Sequence, residues 1–270
     1  MSVAPAPDED LLDLLSEGEI EVEARILPAS NVTLVGHVRL GEQSVRCVYK
    51  PVRGERPLWD FPDGTLAGRE VAAYVVSESL GWGVVPLTIM RDGPLGPGMV
   101  QLWCDPSEEV HPVDVVPEGD VAEGYLHVLD ARDEEGRAVA LVHEDHPALR
   151  RMAVFDAVVN NADRKGGHVL ATDDGRRLGV DHGVCFHVEP KLRTVLWGWA
   201  TLPLLDEEVA ALDDLLARLT DPAGTLAGVL AGLVSEAEIA AVRERCEALL
   251  LHRRMPLPGG EWPAIPWPAF

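Results

Sequence analysis

Residues 160–168 read NNADRKGGH, and residues 180–183 read VDHG. Asp163 and His168 are five positions apart across a glycine-containing turn, and Asp181 lies thirteen beyond His168. The preceding stretch, HPALRRMAVFDAVVN (146–160), carries apolar residues in helical phase and predicts a helix that runs straight into the turn. LATDDGRRLGVDHGVCFHV follows as a hairpin, with a turn at DDG and a second strand carrying Asp181. A tight hairpin returns the chain to its origin, so Asp163, His168 and Asp181 are expected on one side of a cleft.

Toward the N-terminus, DEDLLDLLSEGE reads as a short helix. Three strands follow, in IEVEARILP, NVTLVGHVRL and SVRCVYKP, with separators short enough for antiparallel hairpins. A loop rich in Pro, Gly and Trp leads into REVAAYVVSESLGW, a helix with Gly81 as a plausible C-terminal stop. VVPLTIMRD and PGMVQLWCD complete a five-stranded pattern with one helix inserted after the third strand.

Residues 105–145 are acidic and weakly patterned, and read as a linker followed by irregular structure. Two further helices are expected in DEEVAALDDLLARL and SEAEIAAVRERCEALLLHRR, the second opened by a Ser235–Glu238 capping box. The proline-interrupted tail should pack its two Trp residues against the larger lobe. The expected fold is α+β and two-lobed: an N-terminal antiparallel β lobe with an inserted helix (1–104) and a C-terminal, mainly helical lobe (105–270).

The bulk numbers limit the function. Of 270 residues, 45 are acidic and 23 basic, a formal net charge of -22. Nucleic acid and anionic lipid surfaces would be repelled on average, and no basic run offsets this. No stretch approaches the roughly 20 apolar residues of a membrane span, and no positive n-region precedes an apolar run, so a cytoplasmic protein without stable membrane association is expected. Cys47, Cys104, Cys185 and Cys246 are far apart with no CxxC, which fits reduced core thiols.

Two carboxylates and an imidazole around one cleft suit phosphoryl transfer, in which one carboxylate orients the attacking hydroxyl and other ligands hold a divalent metal on the nucleotide phosphates. That chemistry also needs a cation for the phosphates, itself held by a carboxylate. Lys50, at the end of the third strand, and Glu70, near the start of the following helix, are the candidates.

These residues resemble a family. DRKGGH is similar to the D-R-H-x-x-N catalytic loop of phosphoinositide 3- and 4-kinase-related and HipA-like atypical kinases, and VDHG to their metal-binding D-x-G. REVAAYVVSESLGWGVVP is similar to their passage from helix to strand. The likeness covers roughly residues 25–200 and extends to an actinobacterial group described as phosphatidylinositol-kinase-related. It implies a protein-kinase-like fold that uses ATP with Mg²⁺ or Mn²⁺. Lys50 would hold the phosphates and Glu70 would pair with it. Gln101, Leu102 and Trp103 would form the adenine hinge, and the turn at Ala29–Thr33, with Ser30, Asn31 and Thr33, would cover the phosphates. Asp163 would be the catalytic base or orienting group, and Asp181 the principal metal ligand. Two departures stand out: His168 replaces the family's metal-binding Asn, an imidazole suiting manganese or zinc better than magnesium, and Lys165 replaces a His, where it is placed to contact the transferred phosphate.

Each residue also has a plain reading: Asp163 as a turn residue, Lys50 as a surface lysine, Glu70 as a first-turn glutamate favoured by the helix dipole. The order of the motifs along the chain favours the joint reading, an ATP-dependent phosphotransferase acting on an unidentified protein or small soluble hydroxyl acceptor. A nucleotide-binding pseudokinase is the alternative, for which His168 is the argument. His143, His146, His168, His182 and His187 also allow a metallohydrolase, although HEDH lacks HExxH spacing. Most Trp residues read as core, with Trp103 a candidate for stacking on a base.

Overall fold

The computed structural model describes residues 9–26, 31–56, 58–61, 65–259 and 263–270. Helix α1 (Glu9–Glu17) precedes strands β1 (Glu19–Arg25), β2 (Leu34–Leu40) and β3 (Gln43–Pro51). Helix α2 (Leu66–Ser79) then separates them from β4 (Thr88–Gly93) and β5 (Gly96–Leu102). The strands form one antiparallel sheet in the order β1-β2-β3-β5-β4. The expected five-stranded pattern with its inserted helix is therefore present, followed by a mainly helical part, and the α+β, two-lobed architecture holds.

Alternation along β3 sets its two faces. Cys47, Tyr49 and Pro51 are buried, and Cys47 and Tyr49 join Leu14, Leu15, Val38 and Val100 in a core between sheet and α1. Val48 and Lys50 point the other way, and Val48 packs beside Ala67, Val71 and Met99. Helix α2 thus lies against the face that carries Lys50.

The reading of residues 105–145 is corrected by the structure. Strands β6 (Val113–Pro117), β7 (Tyr125–Arg132) and β8 (Ala138–Glu144) form an antiparallel sheet in the order β6-β8-β7. Only the central strand is well buried, at Ala140, Leu141, Val142 and His143. The edge strands bury only Val113 fully and leave their other residues partly buried or exposed, and this is why no apolar alternation marks them.

Helix α3 (Pro147–Val159) is buried throughout from Met152 onward and leads to the short hairpin of β9 (Val169–Ala171) and β10 (Arg177–Gly179). Helices α4 (Asp206–Thr220), α5 (Leu226–Ala231) and α6 (Glu236–His252) complete the fold, and α5 was not expected. The Ser235–Glu238 capping box forms as expected. The large core runs from Leu149, Phe155 and Val159 of α3 through Leu212, Leu215 and Val242, and takes in Ala72, Ala73 and Val76 of α2. Helix α2 therefore contributes to the cores on both sides. The cysteines are free, three buried and Cys104 partly so. Among the described residues, no helix is long and apolar enough to cross a membrane.

The Trp expectations divide. Trp197 and Trp199 are core residues, whereas Trp59 and Trp267 are 76% and 84% exposed. The tail instead docks through Ile265 and Ala269, and its other tryptophan, Trp262, lies outside the described residues.

Gly68 sets how closely α2 approaches the α5–α6 turn. A Cβ there would stand 2.7 Å from the Leu233 carbonyl oxygen. In a helix interior Ala would otherwise be favoured over Gly by about 1 kcal/mol, but overpacking against backbone costs roughly 1–3 kcal/mol. Gly68→Ala is expected to lower unfolding free energy by about 1–2 kcal/mol, read from the midpoint of a urea titration; an unchanged or raised midpoint would show that the helix shifts freely.

Candidate active site

The site is assembled around Glu70. Its side chain is almost wholly buried on α2, where Glu70 Oε1 accepts a hydrogen bond from Lys50 Nζ at 2.5 Å. Glu70 Oε2 accepts the backbone N–H of His182 at 2.8 Å. Both carboxylate oxygens are thus committed, one to the β3 lysine and one to the VDHG segment. Lys50 Nζ also donates to Asp181 Oδ1 at 2.8 Å. Burial works against the charge on Lys50, but Asp181 and Glu70 outweigh it and hold the pKa above the ordinary lysine value. The Lys50 ammonium, in turn, holds Asp181 far below the usual carboxylate range despite desolvation.

Helix α2 is fixed from three sides. Glu55 Oε1 accepts the Ala67 N–H in the first turn, supplying a partner that the residue before the helix does not. Arg69 donates to the Cys185 carbonyl at 2.6 Å and pairs with Glu238 of α6 at 2.5 Å. Gly68 meets the α5–α6 turn, as above. Glu70 therefore has little freedom to leave Lys50.

The NNADRKGGH turn is built on its two asparagines. Asn160 ends α3 at φ 53°, a left-handed conformation that Asn tolerates. Its amide donates to the carbonyls of His187 and Glu189, while its Oδ1 accepts the Lys191 N–H. Asn161 donates to Asp156 and accepts the Asp163 N–H. Below them Arg164, fully buried, pairs with the fully buried Asp156 at 2.8 Å and donates to His182 Nε2 at 2.6 Å and to the carbonyls of His168 and Val180. This cluster ties the turn to the VDHG segment. It was missed as a site element, and the signal was Asp156, a lone charge inside the apolar run MAVFDAVV.

Asp163 and His168 reach the same cleft. Asp163 is partly exposed, with Lys165 Nζ 3.5 Å and Arg193 Nη2 3.8 Å from its carboxylate. Burial pushes its carboxyl up, against the opposing pull of Lys165, His168 and Arg193. His168 Nδ1 is 2.9 Å from the Asp163 carbonyl, which can only accept, so Nδ1 carries the proton. Its Nε2 then offers a lone pair 3.4 Å from Asp181 Oδ2. Burial keeps the imidazole pKa below its ordinary value, although Asp181 opposes this. Among the described residues, no group of three His, Cys, Asp or Glu side chains could hold a metal ion by itself. His168 and Asp181 could supply two protein ligands to a divalent cation, an imidazole nitrogen and a carboxylate oxygen, a donor pair that suits manganese or zinc better than magnesium.

Asp181 itself adopts φ 62°, two residues past β10. A non-glycine residue in this region is uncommon, and such conformations concentrate at functional sites. The turn opposite carries a second constraint. Gly166 N–H donates to the Ala269 carbonyl at 2.7 Å, and the Phe270 ring lies where a Gly166 Cβ would be. The segment 263–270 thus braces the turn that presents Asp163.

Other expected site residues are placed differently. Ser30 and Ala29 lie outside the described residues. Asn31 Oδ1 accepts the Arg56 N–H, and Thr33 is buried with its carbonyl accepting the Ile26 N–H. These groups hold the turn to its neighbours. Gln101 is buried on the face that carries Lys50, and its amide donates to its cross-strand neighbour Thr88. The N–H groups of Leu102 and Trp103 are taken by the carbonyls of Leu87 and Arg46. One face of the Trp103 ring is covered by the Arg46 guanidinium at 4.5 Å. Of the five histidines considered together, His143 is buried against Gly198, His146 caps α3, His182 meets Arg164 and His187 accepts from Glu189; only His168 faces the cleft with Asp181.

His182 gives the site a pH signature. Burial, then the neighbouring Arg164, holds its pKa well below 6.5. An unfolded histidine titrates near 6.5, so the unfolded state binds more protons as pH falls and stability is lost below that value. Asp181 contributes only at more acidic pH, through the ordinary aspartate range near 3.9. Between pH 7.5 and 5.5, urea titrations should show the unfolding free energy of wild type falling more steeply than that of His182→Gln, by up to about 1.4 kcal/mol per pH unit; parallel slopes would mean that the imidazole titrates normally in the fold.

Against known proteins, no family model matches the chain. A solved structure of similar shape is the Helicobacter pylori proinflammatory kinase CtkA, with 11% identity and a TM-score of 0.41, covering 89% of this chain and 94% of that one. Protein Rv2133c of Mycobacterium tuberculosis is 54% identical over 266 residues, covering 95% of this chain and 94% of that protein. Identity at that level across nearly the whole of both sequences means that the chain belongs to the family of Protein Rv2133c.

Proposed function

We propose that the chain is an ATP-dependent phosphotransferase of the atypical kinase type, acting on a protein or small soluble hydroxyl acceptor. Two lobes, residues 1–104 and 105–270, would close on the nucleotide. The observation that carries this reading is Lys50 Nζ, held between Glu70 at 2.5 Å and Asp181 at 2.8 Å although the three residues come from three separate segments of the chain. A structural ion pair needs only two members. A lysine with one buried partner and one half-exposed partner in a cleft is arranged to exchange the second for phosphate oxygens.

In this reading Lys50 binds the nucleotide phosphates, and Glu70 keeps its ammonium in place. His168 and Asp181 would hold Mg²⁺ or Mn²⁺, which when bound offsets charge on the phosphates. Asp163 accepts a hydrogen bond from the acceptor hydroxyl and orients it. The hydroxyl oxygen forms a bond to the γ-phosphorus as the bond to the β-phosphate oxygen of ADP breaks, and the hydroxyl proton passes to Asp163 and then to water. A raised Asp163 pKa favours that role, since a stronger base accepts the proton more readily. Lys165 stands beside Asp163, where it would meet the transferred phosphoryl group. The hinge at Gln101, Leu102 and Trp103 would contribute main-chain carbonyls and apolar surface, because the Gln101 side chain and the N–H groups of Leu102 and Trp103 are engaged elsewhere.

His168 supports a second reading, a nucleotide-binding pseudokinase that works as an interaction module. An imidazole in place of an oxygen ligand weakens the preference for magnesium. Single-turnover assays with γ-labelled ATP, run in magnesium and in manganese, separate the two. Labelled product or ADP is expected to form with wild type and to fall 10²–10⁴-fold in Asp163→Asn, while nucleotide binding measured by calorimetry persists. Nucleotide binding without turnover in either metal would establish the pseudokinase reading. Lys50→Met is expected to weaken nucleotide binding tenfold or more; unchanged affinity would remove Lys50 from the phosphate site and the phosphotransferase reading with it.

A further inference from the structure

We propose that the cavity beside Asp163 is an acceptor subsite and that Arg193 tunes it for a small soluble alcohol bearing a carboxylate or a phosphate. This rests on the phosphotransferase reading and names its substrate class. The cavity has a volume of about 310 Å³, and its walls include Asp163, Asp181, Trp59, Asp60, Lys191 and Arg193. Both carboxylates assigned to phosphoryl transfer therefore open onto it. Its size is at the lower end of small-molecule pockets, which run from about 300 to 1,000 Å³.

The two cations are placed by backbone pairing. Arg193 N–H donates to the Asn161 carbonyl, Arg164 N–H to the Arg193 carbonyl, and Val195 N–H to the Arg164 carbonyl. Residues 191–195 thus run extended beside the turn that carries Asp163. In an extended segment alternate side chains share a face. Lys191 and Arg193 face the cavity, while Leu192 packs on the large core.

The charges then differ in what occupies them. Lys191 is buried and pairs with Asp60 at 3.2 Å. Arg193 donates through Nε to the Ala162 carbonyl at 2.6 Å, which fixes the plane of its guanidinium. Among the described residues, the only carboxylate within 4 Å of it is Asp163, at 3.8 Å, too long for a hydrogen bond. A guanidinium anchored on one edge, with the rest of the group in a cavity, presents the planar fork that matches carboxylate or phosphate oxygens in pairs.

A neutral alcohol would use Asp163 and leave that fork to water. An alcohol with an anionic group a few bonds away would use both, placing the anion on Arg193 and the hydroxyl on Asp163. The net charge of -22 opposes any anion at long range, but at 0.15 M salt such fields decay over about 8 Å, so the cations in contact decide. Transfer is balanced as before: the acceptor oxygen takes the γ-phosphoryl group, ADP departs, and the proton leaves through Asp163.

The test is calorimetric titration of the full chain with ADP and Mn²⁺ present. The probes are inorganic phosphate, glycerol 3-phosphate, D-glycerate and glycerol, with phosphatidylglycerol vesicles to represent a lipid-borne anion. Saturable binding of the three soluble anions is expected, with glycerol at least tenfold weaker. Arg193→Gln should weaken the anions tenfold or more, and Arg193→Lys should recover part of the loss, which separates lost recognition from a damaged fold. No saturable anion binding, equal binding of glycerol, anion binding that survives Arg193→Gln, or binding of the vesicles alone would each overturn the proposal. Affinity for ADP, read in the same experiment, is a separate outcome: its absence would sink the nucleotide reading and leave the anion result standing on its own.

Discussion

The buried carboxylate of Glu70 is the constraint on which this structure turns. An ionised carboxylate taken out of water without partners is very costly, and Glu70 is almost wholly buried. Its two oxygens are satisfied by groups that belong to different parts of the chain, the Lys50 ammonium and the His182 N–H. The packing of α2 against β3 and the placement of the VDHG segment are therefore joined through this one carboxylate. The same arrangement that satisfies Glu70 sets Lys50 beside Asp181. In this fold the geometry of the site and the solution to a desolvation problem are one arrangement.

The surroundings reinforce that coupling. Arg69, next to Glu70, pairs with Glu238 and donates to the Cys185 carbonyl, so adjacent residues of one helix tie it to α6 and to the segment after VDHG. Arg164 and Asp156 fix the base of the NNADRKGGH turn by an ion pair with no solvent exposure. Buried pairs of this kind add little net stability, because desolvation offsets the attraction. Their value here is geometric, since Arg164 also contacts His182 and the carbonyls of His168 and Val180 and sets the spacing between the two motifs.

Much of this was legible in the sequence because the informative residues interrupt strong patterns. Lys50 stands near the end of an alternating strand, Glu70 is a lone acid in the first half of an apolar helix, and Asp163 lies four residues beyond the helix of residues 147–159, whose periodicity marked it almost to the residue. The 113–144 sheet was illegible for the opposite reason. Two of its three strands bury so little that composition did not distinguish them from a linker. Gln101 shares the sheet face of Lys50 and Met99, but its amide is engaged by its cross-strand neighbour Thr88, a pairing that a motif read as a string of letters does not show. Arg193 carried no signal at all. It faces the cavity through pairing between residues 193–195 and 161–164, and pairing across thirty residues leaves no local pattern.

His168 is where sequence and structure bear on each other most closely. Read as a letter, it departs from the oxygen ligand that the family resemblance leads one to expect, and this weakens the case for magnesium. The structure shows that the imidazole is not free to orient. The Asp163 carbonyl fixes the proton on Nδ1 and leaves Nε2 facing Asp181, so the ring offers a lone pair beside a carboxylate that Lys50 keeps ionised. That pairing of nitrogen and oxygen donors suits a first-row transition ion better than magnesium. Burial, which keeps the imidazole neutral, keeps the lone pair available. Asp163, whose main-chain carbonyl sets the tautomer of His168, thus joins the two ends of the NNADRKGGH turn, and its backbone decides which nitrogen of the ring meets Asp181.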